Sequence, residues 1–201
     1  MARVIISVIL FATFFAGPAA AKEGFYLGAF YPRNSIEKDI DWLERGGGLG
    51  VRAGLGMGEH FAMELAFFET DHAVGAGDEW KFKGGTLDLK LFMPITGITN
   101  VEPFVTGGIG KYSLDTPTGV YRGNVHQIYR YTESDGTVHD WKTSFFNGYQ
   151  FGAGANIFIS PELSVDLGYV VRKMYFDWNT PGGVELRARV HSLEAGVSYH
   201  F

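Results

Sequence analysis

The sequence has 201 residues, no cysteine and a formal net charge of −5 at pH 7. This composition excludes disulfide bonds and a lipid anchor on an N-terminal cysteine. Because no basic stripe is present, we expect no nucleic-acid partner. Glycine contributes 28 residues and aromatic residues contribute 15%, which favours short strands whose small side chains allow an interior to be filled.

The first 21 residues have the pattern of a signal peptide. Arg3 supplies a positive charge, residues 4–15 are mostly apolar, and residues 19–21 form an A-x-A cleavage site. The apolar run is too short to span a bilayer as a helix, which needs about 20 residues. We therefore predict a signal peptide over 1–21 and an exported protein whose single domain covers residues 22–201.

Eight segments with a two-residue alternation follow the predicted cleavage site. Apolar side chains alternate with polar or small ones, as in strands whose two faces meet different surroundings. In one of them, Phe61, Met63 and Leu65 alternate with Ala62 and Glu64. The predicted strands are 24–31, 48–56, 61–70, 80–93, 102–114, 142–159, 163–176 and 187–201.

The last predicted strand has the strictest alternation. Leu193, Val197 and Phe201 are apolar, whereas Glu194 and His200 are polar. An unbroken apolar row opposite a charged position is typical of a wall between lipid and a polar interior.

The predicted connections alternate between long and short. The long ones are 32–47, 71–79, 115–141 and 177–186, and the short ones are 57–60, 94–101 and 160–162. Every long connection follows an odd-numbered strand, so an antiparallel meander would collect the long ones at one end. Short periplasmic turns and long extracellular loops are typical of outer membrane barrels. Aromatic residues near strand ends, including Tyr31, Phe104, Tyr112 and Tyr199, predict girdles at the two membrane interfaces.

Five segments carry a family resemblance. They are 24–28 (GFYLG), 62–65 (AMEL), 102–110 (EPFVTGGIG), 149–154 (YQFGAG) and 196–201 (GVSYHF). In this order they resemble the eight-stranded bacterial outer membrane β-barrel family, of the outer membrane protein A transmembrane-domain type. The resemblance implies an all-β, eight-stranded, antiparallel, up-and-down transmembrane β-barrel in the cell outer membrane, and we expect a monomer. Because the sequence ends at Phe201, we expect no attached peptidoglycan-binding domain.

The C-terminal aromatic residues carry a second part of the resemblance. Tyr199 and Phe201 resemble the C-terminal signal that the β-barrel assembly machinery reads during biogenesis. The resemblance therefore implies that this machinery is a partner, and that the folded barrel contacts outer membrane lipid.

Seven charged residues fall on the strand face opposite the apolar row. An eight-stranded barrel has an interior just wide enough for side chains. We expect charges there to pair, because an isolated buried charge costs several kcal/mol. The residues of this predicted lumen charge network are Arg52, Glu64, Asp88, Lys90, Asp166, Arg172 and Glu194.

Hairpin geometry predicts two pairs within this network. Arg52 and Glu64 flank the connection 57–60 almost symmetrically, and Arg172 and Glu194 flank the connection 177–186. We expect each pair to lie directly opposite across its hairpin, in two stacked clusters that block water passage. The predicted role of the network is structural, and gating or conduction is the alternative.

Neither a nucleotide site nor a catalytic site is predicted. The glycine-rich run 106–111 ends in a lysine, but Tyr112 follows where a phosphate loop needs Ser or Thr. Nucleophilic catalysis needs a serine and a histidine that converge, whereas the adjacent His191 and Ser192 point to opposite faces of a strand. We therefore predict no enzymatic activity.

A metal site is the remaining alternative for the longest loop. His126 and His139 lie there with Glu133, Asp135 and Asp140 nearby. Their spacing matches no metal-ligand signature, so we predict neither a metal nor a cofactor.

The favoured function is that of an outer membrane barrel with a structural or surface-interaction role through its extracellular loops. The candidate ligand-binding segments are the loops 32–47 and 115–141. The alternative is a narrow channel for small or hydrophobic solutes, and a lipid A-modifying enzyme is less favoured. The sequence identifies no particular ligand.

Overall fold

The structure is a computed structural model. It describes residues 24–38, 43–74, 78–95, 100–116, 119–122, 128–132, 138–142, 146–178 and 184–201. The predicted signal peptide, residues 1–21, lies outside the described residues. Within the described part of the chain, no helix is long and apolar enough to cross a membrane.

Eleven strands make up the described secondary structure. They are β1 (Gly24–Lys38), β2 (Gly46–Gly56), β3 (Phe61–Val74), β4 (Asp78–Phe92), β5 (Val101–Thr116), β6 (Gly119–Arg122), β7 (Ile128–Thr132), β8 (Val138–Lys142), β9 (Gly148–Ser160), β10 (Leu163–Trp178) and β11 (Val184–His200). Eight of them form a closed antiparallel barrel in the order β1, β2, β3, β4, β5, β9, β10, β11. This confirms the predicted eight-stranded, up-and-down β-barrel.

The barrel closes where β1 pairs with β11. Thirteen residue pairs form this seam, from Tyr26↔His200 to Lys38↔Ala188. The three additional strands lie between β5 and β9: β6 pairs with the end of β5, and β7 pairs only with β8. Closure leaves no unpaired edge at the level of the eight barrel strands, which a membrane-spanning sheet requires.

The outer surface of the barrel is a band of exposed apolar side chains. On β3, for example, Phe61, Met63, Leu65 and Phe67 are each close to half exposed. The next outward residue along that strand, Glu69, is charged and forms ion pairs. The band is therefore bounded at its upper edge, where the connections 39–45 and 179–183 join the strands.

Apolar side chains fill the upper part of the interior. Phe30, Phe68, Phe82 and Tyr112 are buried and form what we call the aromatic layer. The ring centroids of Phe68 and Phe82 lie 5.5 Å apart, and those of Phe82 and Tyr112 lie 5.8 Å apart. These spacings are typical of favourable aromatic pairs.

Some aromatic rings of the interior lie opposite a glycine on the neighbouring strand. Gly54 is the register partner of Tyr26, and Gly84 is the partner of Phe68. A Cβ atom at either glycine would overlap the ring of its partner. The bare backbone therefore provides the space that each ring occupies.

The predicted bounds of the long loops are wrong in three places. β1 continues to Lys38, β3 to Val74 and β10 to Trp178, so only 39–45, 75–77 and 179–183 connect these strands to the next. The connection 75–77 is shorter than the connection 93–100, which was predicted to be one of the short ones. On β1 and β3 the inward residues Asn34, Thr70 and His72 above the apolar band are polar like the outward ones, so the sequence there has the polarity of a loop.

The longest connection, predicted as 115–141, also differs from its prediction. It contains β6, β7 and β8, and β9 begins at Gly148, six residues later than predicted. The predicted aromatic girdles are only partly correct, because Tyr112 and Phe104 are buried in the interior. Tyr31 and Tyr199 are about half exposed on the outer surface.

Candidate functional site

The seven charged residues predicted for the lumen all lie on inward-facing positions of the barrel strands. Six are buried, and Glu194 is half-buried. They share the inner face because side chains alternate along a strand, so that every second residue points into the barrel. Together these residues form what we call the charged belt.

Arg52 and Glu64 connect the largest group of the charged belt. A guanidinium nitrogen of Arg52 lies 2.8 Å from Asp166 and another lies 3.9 Å from Glu64. Glu64 also accepts a hydrogen bond of 2.6 Å from Lys90 and one of 2.8 Å from the hydroxyl of Tyr26. Each charge in this group therefore has at least one partner of opposite sign.

Asp88 is held by neutral donors rather than by an ion pair. The side-chain amide of Gln150 donates a hydrogen bond of 2.6 Å to one carboxylate oxygen, and the hydroxyl of Thr86 donates one of 2.7 Å to the other. Tyr112 in turn donates a hydrogen bond of 3.3 Å to Gln150. This chain of contacts joins the charged belt to the aromatic layer.

Arg172 and Glu194 form a separate ion pair within the charged belt. Ser192 also donates a hydrogen bond of 3.3 Å to Glu194. Because Arg172 is buried, loss of Glu194 would leave its charge without this partner in a space of low dielectric constant.

Each cation of the charged belt also lies over an aromatic ring. Arg52 lies 4.4 Å from the centroid of Phe30, Arg172 lies 4.6 Å from that of Phe68, and Lys90 lies 4.8 Å from that of Phe104. The Nε atoms of both arginines have no hydrogen-bond partner among the described residues. The ring faces offset part of the cost of burying these guanidinium groups.

The charged belt surrounds one small cavity of about 30 Å³. Arg52, Glu64, Asp88 and Lys90 line it, and so does Glu194 from the other predicted cluster. Members of both predicted clusters therefore border the same space. A cavity of this size admits a water molecule but no larger solute.

The predicted direct opposition of the paired charges is wrong. The register partner of Arg52 is Ala66, and that of Glu64 is Gly54. Across the other hairpin, Arg172 lies opposite Val190 and Glu194 lies opposite Gly168. The hairpins turn at different positions from those that symmetry predicted, and the long side chains reach their partners diagonally.

Several polar residues of the interior were missed by the sequence analysis. Tyr26, Thr86 and Gln150 occupy inward positions and hold the carboxylates of the charged belt. The alternation could have identified them, since they share a face with the charges. Asn147 was also missed, and it bonds the backbone of both Tyr112 and Tyr175 just before β9 begins.

A second polar cluster lies above the apolar band. The ring of His72 is fully buried and bonds the hydroxyl of Thr70 at 3.0 Å and the carbonyl of Glu44 at 2.9 Å. Asn34 donates a further hydrogen bond of 3.1 Å to Thr70. Burial lowers the pKa of His72, because it disfavours the charged imidazolium. This cluster ties β1, β3 and the segment before β2 together.

A serine and a histidine meet in the interior, although not the pair considered from the sequence. The hydroxyl of Ser164 lies 2.9 Å from the imidazole of His200. Ser164 is only 1% exposed. Among the described residues, no group of three or more His, Asp or Glu side chains could hold a metal ion. The histidines considered for the longest loop, His126 and His139, lie outside the described side chains.

The predicted assembly residues lie at the closing seam. The amide of Phe201 donates a hydrogen bond of 2.9 Å to the carbonyl of Phe25. The ring of Phe201 lies 5.8 Å from that of Phe25 and 5.0 Å from that of Tyr199. The last residue of the chain is thus packed against the start of the first strand.

A family model for the outer membrane protein beta-barrel domain matches residues 6–201. The chain belongs to this family. Its exposed apolar band therefore faces the lipid of the outer membrane.

Solved structures share the fold of this outer membrane barrel at low sequence identity. Neisserial surface protein A is 14% identical, with a TM-score of 0.63 over 89% of this chain and 98% of that chain. Outer membrane protein OprG from Pseudomonas aeruginosa is 14% identical, with a TM-score of 0.51 over 90% and 97% of the two chains. Ail from Yersinia pestis, in complex with the heparin analogue sucrose octasulfate, is 13% identical, with a TM-score of 0.50 over 89% and 99%. No curated protein sequence matches the chain.

The ion pair between Arg172 and Glu194 allows a double-mutant test of the charged belt. Arg172→Met and Glu194→Met should each destabilise the barrel by roughly 3–5 kcal/mol, because each leaves a buried charge without its partner. The double variant should cost clearly less than the sum of the two. The measurement is urea-induced unfolding of the refolded barrel in detergent.

The surface pair Lys81 and Glu69 is a more exposed control for this cycle, although Lys81 also contacts Asp71 and Glu69 also contacts Lys83. Its atoms lie 3.0 Å apart, but the lysine side chain is 45% exposed, so solvent screens the interaction. Changing Lys81→Met and Glu69→Gln should alter the unfolding midpoint little. Additive costs for Arg172 and Glu194 would contradict the paired arrangement. Arg52 and Glu64 are less suitable, since each has a further partner in Asp166 or Lys90.

Proposed function

We propose that this outer membrane barrel does not conduct solutes and acts as a surface-binding protein through the parts of the chain beyond the apolar band. The observation that carries the proposal is the filled interior. The aromatic layer occupies the upper part of the lumen, and the charged belt leaves a cavity of about 30 Å³ below it. A barrel of this kind offers a rigid base for its connections rather than a path through the membrane.

The extended strands supply part of that base. On β3, β4 and β5, outward-facing charges above the apolar band are linked in a row. Lys81 contacts Glu69 and Asp71, and Lys83 contacts Glu69 and Asp115. A network of several charges is more effective than isolated surface pairs in stabilising such an extension.

The longest connection is the proposed binding segment, and a protein is its proposed partner. Its sequence contains Tyr121, Tyr129, Tyr131 and Trp141 among many Ser, Thr, Gly and Asn residues. Tyrosine and tryptophan provide large contact areas at low entropic cost, and small polar residues adapt their hydrogen bonds to a partner. The connection 39–45 contributes to the same end of the barrel.

The second candidate function is a narrow channel for small solutes. One observation favours it, because the cavity of the charged belt is lined by charged side chains that could exchange partners. Such a channel would have to displace both the ion pairs and the rings above them.

The closed interior predicts that the refolded protein shows no steady conductance in planar lipid bilayers. The reason is that buried rings and paired charges fill much of the described lumen, and the cavity at the charged belt measures about 30 Å³. Single-channel recording is the measurement, and a large-pore porin inserted in the same bilayers is the control. A large, steady conductance from the wild-type barrel would favour the channel instead.

Replacing residues 119–142 with a short glycine-serine linker should abolish binding of a protein partner. Intact cells that carry the wild-type or the linker form would be tested on an array of purified extracellular proteins. A difference in electrophoretic migration before and after boiling verifies that the linker form still closes its barrel. Equal binding by both forms would refute the role of this segment.

We further propose that Tyr199 and Phe201 are read by the assembly machinery before they pack at the seam. Deletion of Phe201 should then lower the amount of folded protein in the outer membrane far more than it lowers the stability of refolded protein. Phe201→Tyr keeps a terminal aromatic residue and should assemble normally. The measurements are surface levels on cells and urea unfolding in detergent, and normal surface levels of the deletion form would sink this proposal.

A further inference from the structure

Two cations face each other directly on the outer surface of the barrel. Lys173 of β10 is the register partner of Arg189 of β11, and both side chains are half-buried. Like charges directly opposite each other on one face of a sheet are destabilising. An anion beside them would offset this repulsion.

The carboxylate that lies in register with Arg189 contacts a different side chain. Glu37 of β1 is the register partner of Arg189, but its carboxylate lies 3.2 Å from the imidazole of His191 instead. The Nε atom of Arg189 is buried without a hydrogen-bond partner among the described residues. Lys173 extends toward β9, where its ammonium lies 5.8 Å from the ring centroid of Tyr149.

This cationic position lies at the upper edge of the apolar band. Two residues below Lys173 and Arg189 on the same strands are Val171 and His191, and the next outward residues are Tyr169 and Leu193. Tyr169 is 45% exposed and Leu193 is 61% exposed. The hydroxyl of Tyr169 lies 2.5 Å from a ring nitrogen of His191. This polar contact lies between the two cations and the apolar surface.

We propose that Lys173 and Arg189 bind the phosphate group of a lipid in the leaflet at this end of the barrel. A guanidinium presents paired donors that match two phosphate oxygens, and an ammonium adds a point charge. The acyl chains of the same lipid would lie on Tyr169 and Leu193. A phosphate-bearing lipid fits both features at once, whereas a free phosphate fits only the cations. This site lies on the wall of the barrel and is independent of the surface-binding function proposed above.

A second pair of lysines on the barrel provides a matched control. Lys81 and Lys83 also face outward above the apolar band, but three carboxylates surround them: Glu69, Asp71 and Asp115. Removing these two lysines changes the net charge as much as removing Lys173 and Arg189. Only the second change should affect a phosphate site.

The test uses the full barrel in nanodiscs of phosphatidylcholine that contain either diphosphoryl lipid A or its dephosphorylated form. Native mass spectrometry measures how much lipid A the released protein retains. Wild-type protein should retain the phosphorylated form, and Lys173→Gln with Arg189→Gln should lower retention by about tenfold or more. Lys81→Gln with Lys83→Gln should retain it like wild type. The shift in migration on boiling verifies that both double variants are folded.

Three results would overturn the proposal. Equal retention of the phosphorylated and dephosphorylated lipids by wild-type protein would show that phosphate is not recognised, and this comparison needs no variant. An equal loss in both double variants would show a general effect of net charge. Displacement of the lipid by inorganic phosphate alone would show a site for free anions, with no contribution from the acyl chains.

Discussion

The pairing of the first strand with the last is the constraint on which the structure depends. Once β1 and β11 form their thirteen residue pairs, every second side chain of eight strands is confined to one narrow lumen. Polar groups there are cut off from bulk water, so they must find partners inside the barrel. The charged belt and the aromatic layer are the two solutions: the first gives polar groups their partners, and the second fills the lumen with rings that need few.

The three interior cations show how the two solutions combine. Arg52, Lys90 and Arg172 each contact a carboxylate on one side and the face of a ring on the other. The carboxylate neutralises the charge of the cation. The ring face also attracts the cation and has no polar group of its own that needs a hydrogen-bond partner. Carboxylates and rings together thus hold buried cations inside a narrow lumen.

The sequence predicted the fold well because a period of two separates lipid from lumen wherever the outside is apolar. It failed above the band, where residues such as Asn34 and Thr70 face inward while charged residues face water, so that no hydrophobic contrast marks the strand. It placed Arg52 and Glu64 on the correct face but in the wrong register, because the position of a turn depends on local backbone geometry. The alternation puts Phe67 outward and Phe68 inward, but the aromatic layer was still not predicted, because an apolar ring on the inner face gives no contrast with the outer row.

The glycines that face interior rings have a consequence for how the barrel forms. Phe68 fits opposite Gly84, but a shift of two residues along β4 would set it against Phe82 or Thr86. The two faces of each strand would be unchanged by that shift, so the separation of lipid from lumen would not oppose it. Gly84 does oppose the shift, because it has no side chain and therefore leaves room for the ring of Phe68. Glycines at these positions thus favour the native register over shifted registers that hydrophobicity alone would allow.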